Sequence, residues 1–187
     1  AFLKISLSSQ NHLNPFDLPK PQEGENPADM LRSNIINLVG LLRIMFGGLT
    51  PEEDALIDSA ITQTYASRDT TPTMSDLKTI LDSMAGAESL SRRLEKYVTG
   101  SYAGFLNNPT NLEIKNKLVV FSIRDMEEEL RPVAMYIILH FIWNLVRSEL
   151  KKRILMVDEA WWLMKYDDGA SFMFGIAKRA RKYFLGV

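Results

Sequence analysis

The 187-residue chain has no cysteine. This excludes a disulfide framework, a thiolate metal site and a cysteine nucleophile, and it fits an intracellular protein. Histidine occurs twice, as His12 and His140. His12 has no partner at metal-ligand spacing, and neither histidine belongs to an arrangement that could form a nucleophilic triad. Excess charge is also missing: 22 Lys+Arg against 23 Asp+Glu leave a formal net charge of −1. The whole molecule therefore has no field to draw it to nucleic acid or membrane, and such a contact would need a local patch. The longest apolar stretch, VAMYIILHFIWNLV at 133–146, is interrupted by His140 and Asn144. It is too short to span a bilayer and fits a buried helix, on which His140 is expected to be a satisfied core histidine. The first residues, AFLKISLSS, lack the basic region and apolar run of a signal peptide. The chain starts without Met and stops at YFLGV, which reads as a piece of something longer.

Hydrophobic residues make up 46% and charged residues 24%, an ordinary globular balance for one domain with room for a subdomain. The pattern divides the chain into residues 1–26, 27–106 and 107–187. In the first part LKISLS, 3–8, alternates like a half-buried strand, and NPFDLPKPQEGENP, 14–27, carries four of the eight prolines and predicts a loop. The second part is helical. Met30, Leu31, Ile35, Leu38, Val39, Leu42 and Met45 form a 3.6-residue stripe closed by Gly47-Gly48. Thr50, Pro51 and Glu53 make a capping box that starts the next helix; Ser75-Asp76 starts a third, and 87–98 is expected to be a fourth.

From 107 the period changes. KLVVFSI (117–123) and RILMV (153–157) read as strands, and YFLGV begins another. The spans 126–150 and about 170–182 read as helices. Strand, helix, strand, helix, strand predicts a parallel α/β sheet, and the continuous apolar runs predict that helices cover both its faces. Ligands of such sheets sit beyond the carboxyl ends of the strands. There the chain places Asp158 and Glu159, followed by Trp161 and Trp162.

An acid pair after a strand can be a polar turn that favours the start of the next helix. Here two basic residues, Lys152 and Arg153, precede four apolar residues and the pair, which is the Walker B pattern of P-loop ATPases. In that pattern Asp158 holds hydrated Mg²⁺, and Glu159 orients and deprotonates the water that attacks the γ-phosphate of ATP. The tryptophans read as core or interface aromatics rather than as a stacking platform.

The stretches RILMVDEAWWLM and FMFGIAKRARKYFLGV resemble the motor ATPases of type IV secretion and conjugation. LNPFDLP (13–19), the helical block at 27–106, GSYAGFLNNPTN (100–111), KLVVFSI and ELRPVAMYIILHFIW match that family in order and spacing, so the resemblance covers essentially the whole chain. It implies a RecA-like P-loop NTPase core with an inserted all-helical subdomain, and a homo-hexamer working with other secretion or conjugation subunits on a DNA or protein substrate. The expected place is the cytoplasm, at the inner face of the membrane and attached through partners. The phosphate-binding pattern GxxxxGK[ST] occurs nowhere in the 187 residues. The family has it upstream of the NPFD segment, so the chain alone is expected to bind ATP poorly.

Lys178, Arg179, Arg181 and Lys182 form a basic cluster at a helix end. It either complements the helix C-terminus or, by the resemblance, supplies Arg179 or Arg181 to a neighbour's γ-phosphate. Two other functions share these features: a DNA translocase or helicase, because DEAW also resembles the DEAx box, and a non-catalytic assembly module.

Overall fold

The computed structural model describes residues 1–21 and 24–187; residues 22 and 23 of the expected proline-rich loop lie outside the described residues. A first strand, β1 (Phe2–Lys4), pairs in parallel with β2 (Val120–Ser122), with Leu3 opposite Phe121. Between these two partners the chain is almost wholly helical: α1 (Pro27–Phe46), α2 (Pro51–Ala66), α3 (Met74–Ser83), α4 (Glu88–Val98) and the short α5 (Ala103–Leu106). A long helix, α6 (Arg131–Ser148), follows β2 and a single 3-10 turn. β3 (Arg153–Ile154) then leads to the short α7 (Trp161–Met164), α8 (Asp167–Ala180) and β4 (Leu185–Gly186). β3 and β4 pair in parallel, with Arg153 opposite Leu185.

The helix starts follow local chemistry. Asn26 caps α1 by accepting from the Ala28 amide at 2.9 Å, and Pro27 stands where no amide is needed. The capping box of α2 forms: Thr50 Oγ1 accepts from the Glu53 amide at 3.2 Å, and Glu53 Oε2 from the Thr50 amide at 3.0 Å. The third helix begins one residue earlier than Ser75, because Asp76 Oδ2 accepts from the Thr73 amide at 2.8 Å and so caps from Thr73. Arg93 of α4 clamps the turn between α1 and α2, with Glu53 at 2.9 Å and the carbonyls of Phe46 and Gly48 at 2.7 and 2.8 Å.

The loop at 13–17 has no regular structure but is held by hydrogen bonds of Asn14, Phe16 and Asp17. Asn14 donates its amide to Thr110 Oγ1 and its side-chain Nδ2 to the Pro72 carbonyl, both at 2.7 Å, while the carbonyls of Phe16 and Asp17 accept from the Tyr65 hydroxyl (2.7 Å) and Asn144 Nδ2 (3.1 Å). A polar chain runs inward from it. Tyr65 accepts from Asn34 Nδ2 at 2.7 Å, and Asn34 Oδ1 faces His140 Nε2 at 2.7 Å, so His140 carries its proton there. His140 is thus the buried, hydrogen-bonded core histidine expected. Around it the buried side chains of the helices and of Ile5, Leu13 and Phe16 form one contiguous apolar core.

The sheet departs from expectation. Only three and two residues of the runs 117–123 and 153–157 are paired, and the strands form two separate two-stranded ladders rather than one sheet. Nor is the strand leading to the acids covered on both faces. Leu155 and Val157 pack inward, but Ile154 and Met156 are 81% and 83% exposed. The physical reason is that the apolar core lies on one side only, against Leu155 and Val157, while nothing among the described residues buries Ile154 and Met156 on the other. Among the described residues no helix is long and apolar enough to cross a membrane.

Candidate active site

Beyond β3 the chain runs extended to Asp158 and turns sharply at Glu159. Glu159 has φ +52, a conformation that a non-glycine residue adopts only when its surroundings hold it. Asp158 Oδ1 accepts from the Glu159 amide at 2.9 Å, and the Glu159 carbonyl accepts from the Trp162 amide at 3.1 Å. Glu159 is therefore outside the helix, not in its first turn, and α7 begins two residues later.

One fully buried side chain and one glycine then aim this corner. Leu163 is completely buried, worth about 2 kcal/mol of apolar burial, and pins α7 to the core. Gly169, in the first turn of α8, passes so close that an alanine Cβ would stand 2.3 Å from the Leu163 carbonyl oxygen. Only glycine permits that approach.

The two carboxylates are exposed, and a layer of rings and cations lies beside them. Trp162 donates its indole Nε1–H to Glu159 Oε2 at 3.1 Å. It stacks on Trp161 with centroids 4.2 Å apart, and the Lys165 ammonium lies 4.4 and 4.6 Å from the two ring centroids. Arg131, from the start of α6, stands 5.4 Å from the Trp162 centroid. Trp162 is half-buried against the core while Trp161 is 50% exposed. The sequence reading missed the bond from Trp162 to Glu159; the three-residue spacing inside a turn was its only signal.

Among the described residues no group of three or more His, Asp or Glu side chains is placed to hold a metal. The donor set nevertheless suits one kind of ion. Magnesium keeps most of its waters and binds through one or two carboxylates plus phosphate oxygens, and Asp158, exposed beyond the end of β3 with Oδ2 free of donors among the described residues, offers such a ligand.

The basic cluster sits elsewhere. Because β3 and β4 run parallel with Arg153 opposite Leu185, residues 179–182 lie level with the start of β3, whereas Asp158 follows its far end. The structure therefore does not bring the acids and the arginines together within one chain. The two arginines also differ. Arg179 folds back on its own helix: Nε donates to the Gly175 carbonyl at 2.9 Å and the guanidinium lies 4.9 Å from the Trp143 centroid. Burial and then the nearby positive charge of Arg147 press its pKa below the usual value. Arg181 is exposed.

Two comparisons bear on this geometry. The family model of the TraG P-loop domain matches residues 50–187. Among solved structures, VirB4 of Thermoanaerobacter pseudethanolicus superposes with a TM-score of 0.87 at 22% sequence identity, covering 100% of this chain and 78% of that one. At that identity the likeness establishes the fold alone. No curated protein matches the chain.

Proposed function

The chain belongs to the TraG P-loop domain family, among the type IV secretion and conjugation ATPases, and from that premise we propose that it is part of a motor that hydrolyses ATP to energise secretion or the conjugative transfer of DNA or protein. The observation that carries this reading is the acid pair: two exposed, adjacent carboxylates a few residues beyond the C-terminal end of a parallel strand, in the Walker B pattern. In this reading residues 27–106 are a helical subdomain inserted between residues 1–26 and 107–187, the parts that carry the paired strands β1 and β2 and the acids. The protein acts as a homo-hexamer in the cytoplasm, at the inner face of the membrane, docked on the other subunits of the machinery.

Asp158 is the ligand for magnesium, which when bound neutralises charge on the phosphate oxygens of ATP. Glu159 takes the proton of the attacking water, since a carboxylate within one water of the γ-phosphate can act as general base. Either Arg179 or Arg181 stabilises the charge developing on the phosphate of a neighbouring subunit. Exposure favours Arg181, because Arg179 would first have to leave Trp143 and the Gly175 carbonyl.

The test is Glu159→Gln in the full-length protein. An amide cannot accept the proton, so ATP binding is expected to persist while turnover falls by about a hundredfold or more. Hydrolysis at the parental rate would remove Glu159 from the mechanism.

A further inference from the structure

Resting on the reading of Glu159 as the base, we infer that Trp162 is a lock on Glu159, a positioning residue that holds its carboxylate away from the attacking water until Asp158 engages the metal–nucleotide. The two acids are not independent. Asp158 Oδ1 accepts from the Glu159 amide, so the carboxylate assigned to magnesium is itself one support of the left-handed turn at Glu159. Trp162 supplies the others, with its backbone amide on the Glu159 carbonyl and its indole N–H on Oε2.

The indole is built to hold. Its ring is fixed between Trp161, Lys165 and Arg131 and rests on the core, and cations over its face withdraw electron density and strengthen the N–H as a donor. A backbone conformation that needs these supports relaxes when one is withdrawn. Where the whole Asp158 carboxylate turns toward a metal-bound nucleotide, rather than lending Oδ2 alone, it gives up the Glu159 amide, the turn loosens and Oε2 leaves the indole. Coupling of this kind is reciprocal: freeing Glu159 must also favour the metal-binding orientation of Asp158.

A merely structural tryptophan predicts the opposite of a lock. In the full-length protein Trp162→Phe keeps the ring and deletes the donor. The lock predicts basal ATP turnover raised about three- to tenfold, with a lower KM for Mg-ATP, as expected for a partly exposed charge-assisted hydrogen bond. Turnover unchanged, or lowered together with thermal stability, overturns it.

A second measurement does not depend on that variant folding. In 5-fluorotryptophan-labelled full-length wild-type protein, with the resonance of every other tryptophan assigned by substitution, the Trp162 signal is expected to shift on adding Mg²⁺ with a non-hydrolysable ATP analogue, and to stay when EDTA replaces Mg²⁺. A Glu159→Gln protein that still hydrolyses ATP overturns the underlying reading and the lock with it. A dead Glu159→Gln protein with an unmoved Trp162 resonance overturns the lock alone.

Discussion

Arg43 of α1 and Asp168 in the first turn of α8 meet at 2.7 Å, and the same guanidinium holds Asp54 of α2, also at 2.7 Å. One side chain thus ties two helices of the 27–106 block to α8, the second helix after the acid pair. Next to it Tyr136 of α6 stacks on Phe172 of α8 (4.6 Å) and donates to the Asn37 carbonyl of α1 at 2.9 Å. All three charged groups are about a third exposed, so solvent screens the pairs. Replacing Arg43 by Ala is expected to cost about 1–2 kcal/mol in urea unfolding, with a coupling to Asp168 of about 0.5–1 kcal/mol in a double-mutant cycle. A coupling of zero would mean that the pair only decorates the contact.

His140 gives a pH signature. Burial, and secondarily the charge of Arg147, hold its pKa down at about 4, against an ordinary value of 6.5. Between those values the unfolded chain binds the proton and the folded one does not. The stabilisation is therefore complete above pH 6.5 and is lost as the pH falls toward 4, by about 3 kcal/mol in all. His140→Gln can still donate to Asn34 and does not titrate. The difference in stability between wild type and this variant should change across that window and be flat above it; a difference that is constant from pH 7 to 4 would refute the assignment.

The 187-residue chain by itself is expected to be inactive. It contains no GxxxxGK[ST], so no loop of backbone amides and no P-loop lysine cradles the phosphates. Differential scanning fluorimetry with Mg-ATP should show no rise in Tm, since bound ligand would stabilise by mass action. A clear shift would place a phosphate site within these residues.

Mixed assemblies test the arginines. Full-length Glu159→Gln subunits combined with Arg181→Ala subunits should recover part of the activity that each lacks, because some interfaces then join an intact acid pair to an intact arginine. Arg179→Ala subunits are expected to keep most activity, since that guanidinium is committed to Trp143 and Gly175. If the mixture stays as dead as its parents while both variants assemble, Arg181 does not act across subunits.

The helices were legible because their signals are local: the stripe of α1, the Thr50–Glu53 box and Pro51 each need only a few neighbouring residues. The acid pair was legible for the same reason. Strand extent was not. An apolar run such as RILMV marks burial potential, but a ladder needs a partner beside it, and Met156 has none among the described residues. The tie between Arg43 and Asp168 spans 125 positions, and no spacing rule reaches that far. The turn at Glu159 was hidden in another way, since its left-handed backbone is imposed by Asp158 and Trp162 and not by any intrinsic preference of glutamate.

The bonded loop at 13–17 has a consequence for the order of assembly. Its partners, Tyr65, Pro72, Thr110 and Asn144, come from stretches between 49 and 127 residues away along the chain. Ordering this segment early would incur the loop-closure entropy of all those separations before most of the bonds could form. Docking is therefore favourable only once the helices around it stand in place. The segment is expected to dock last, so that its protection from a protease during refolding should lag behind that of the helices around it.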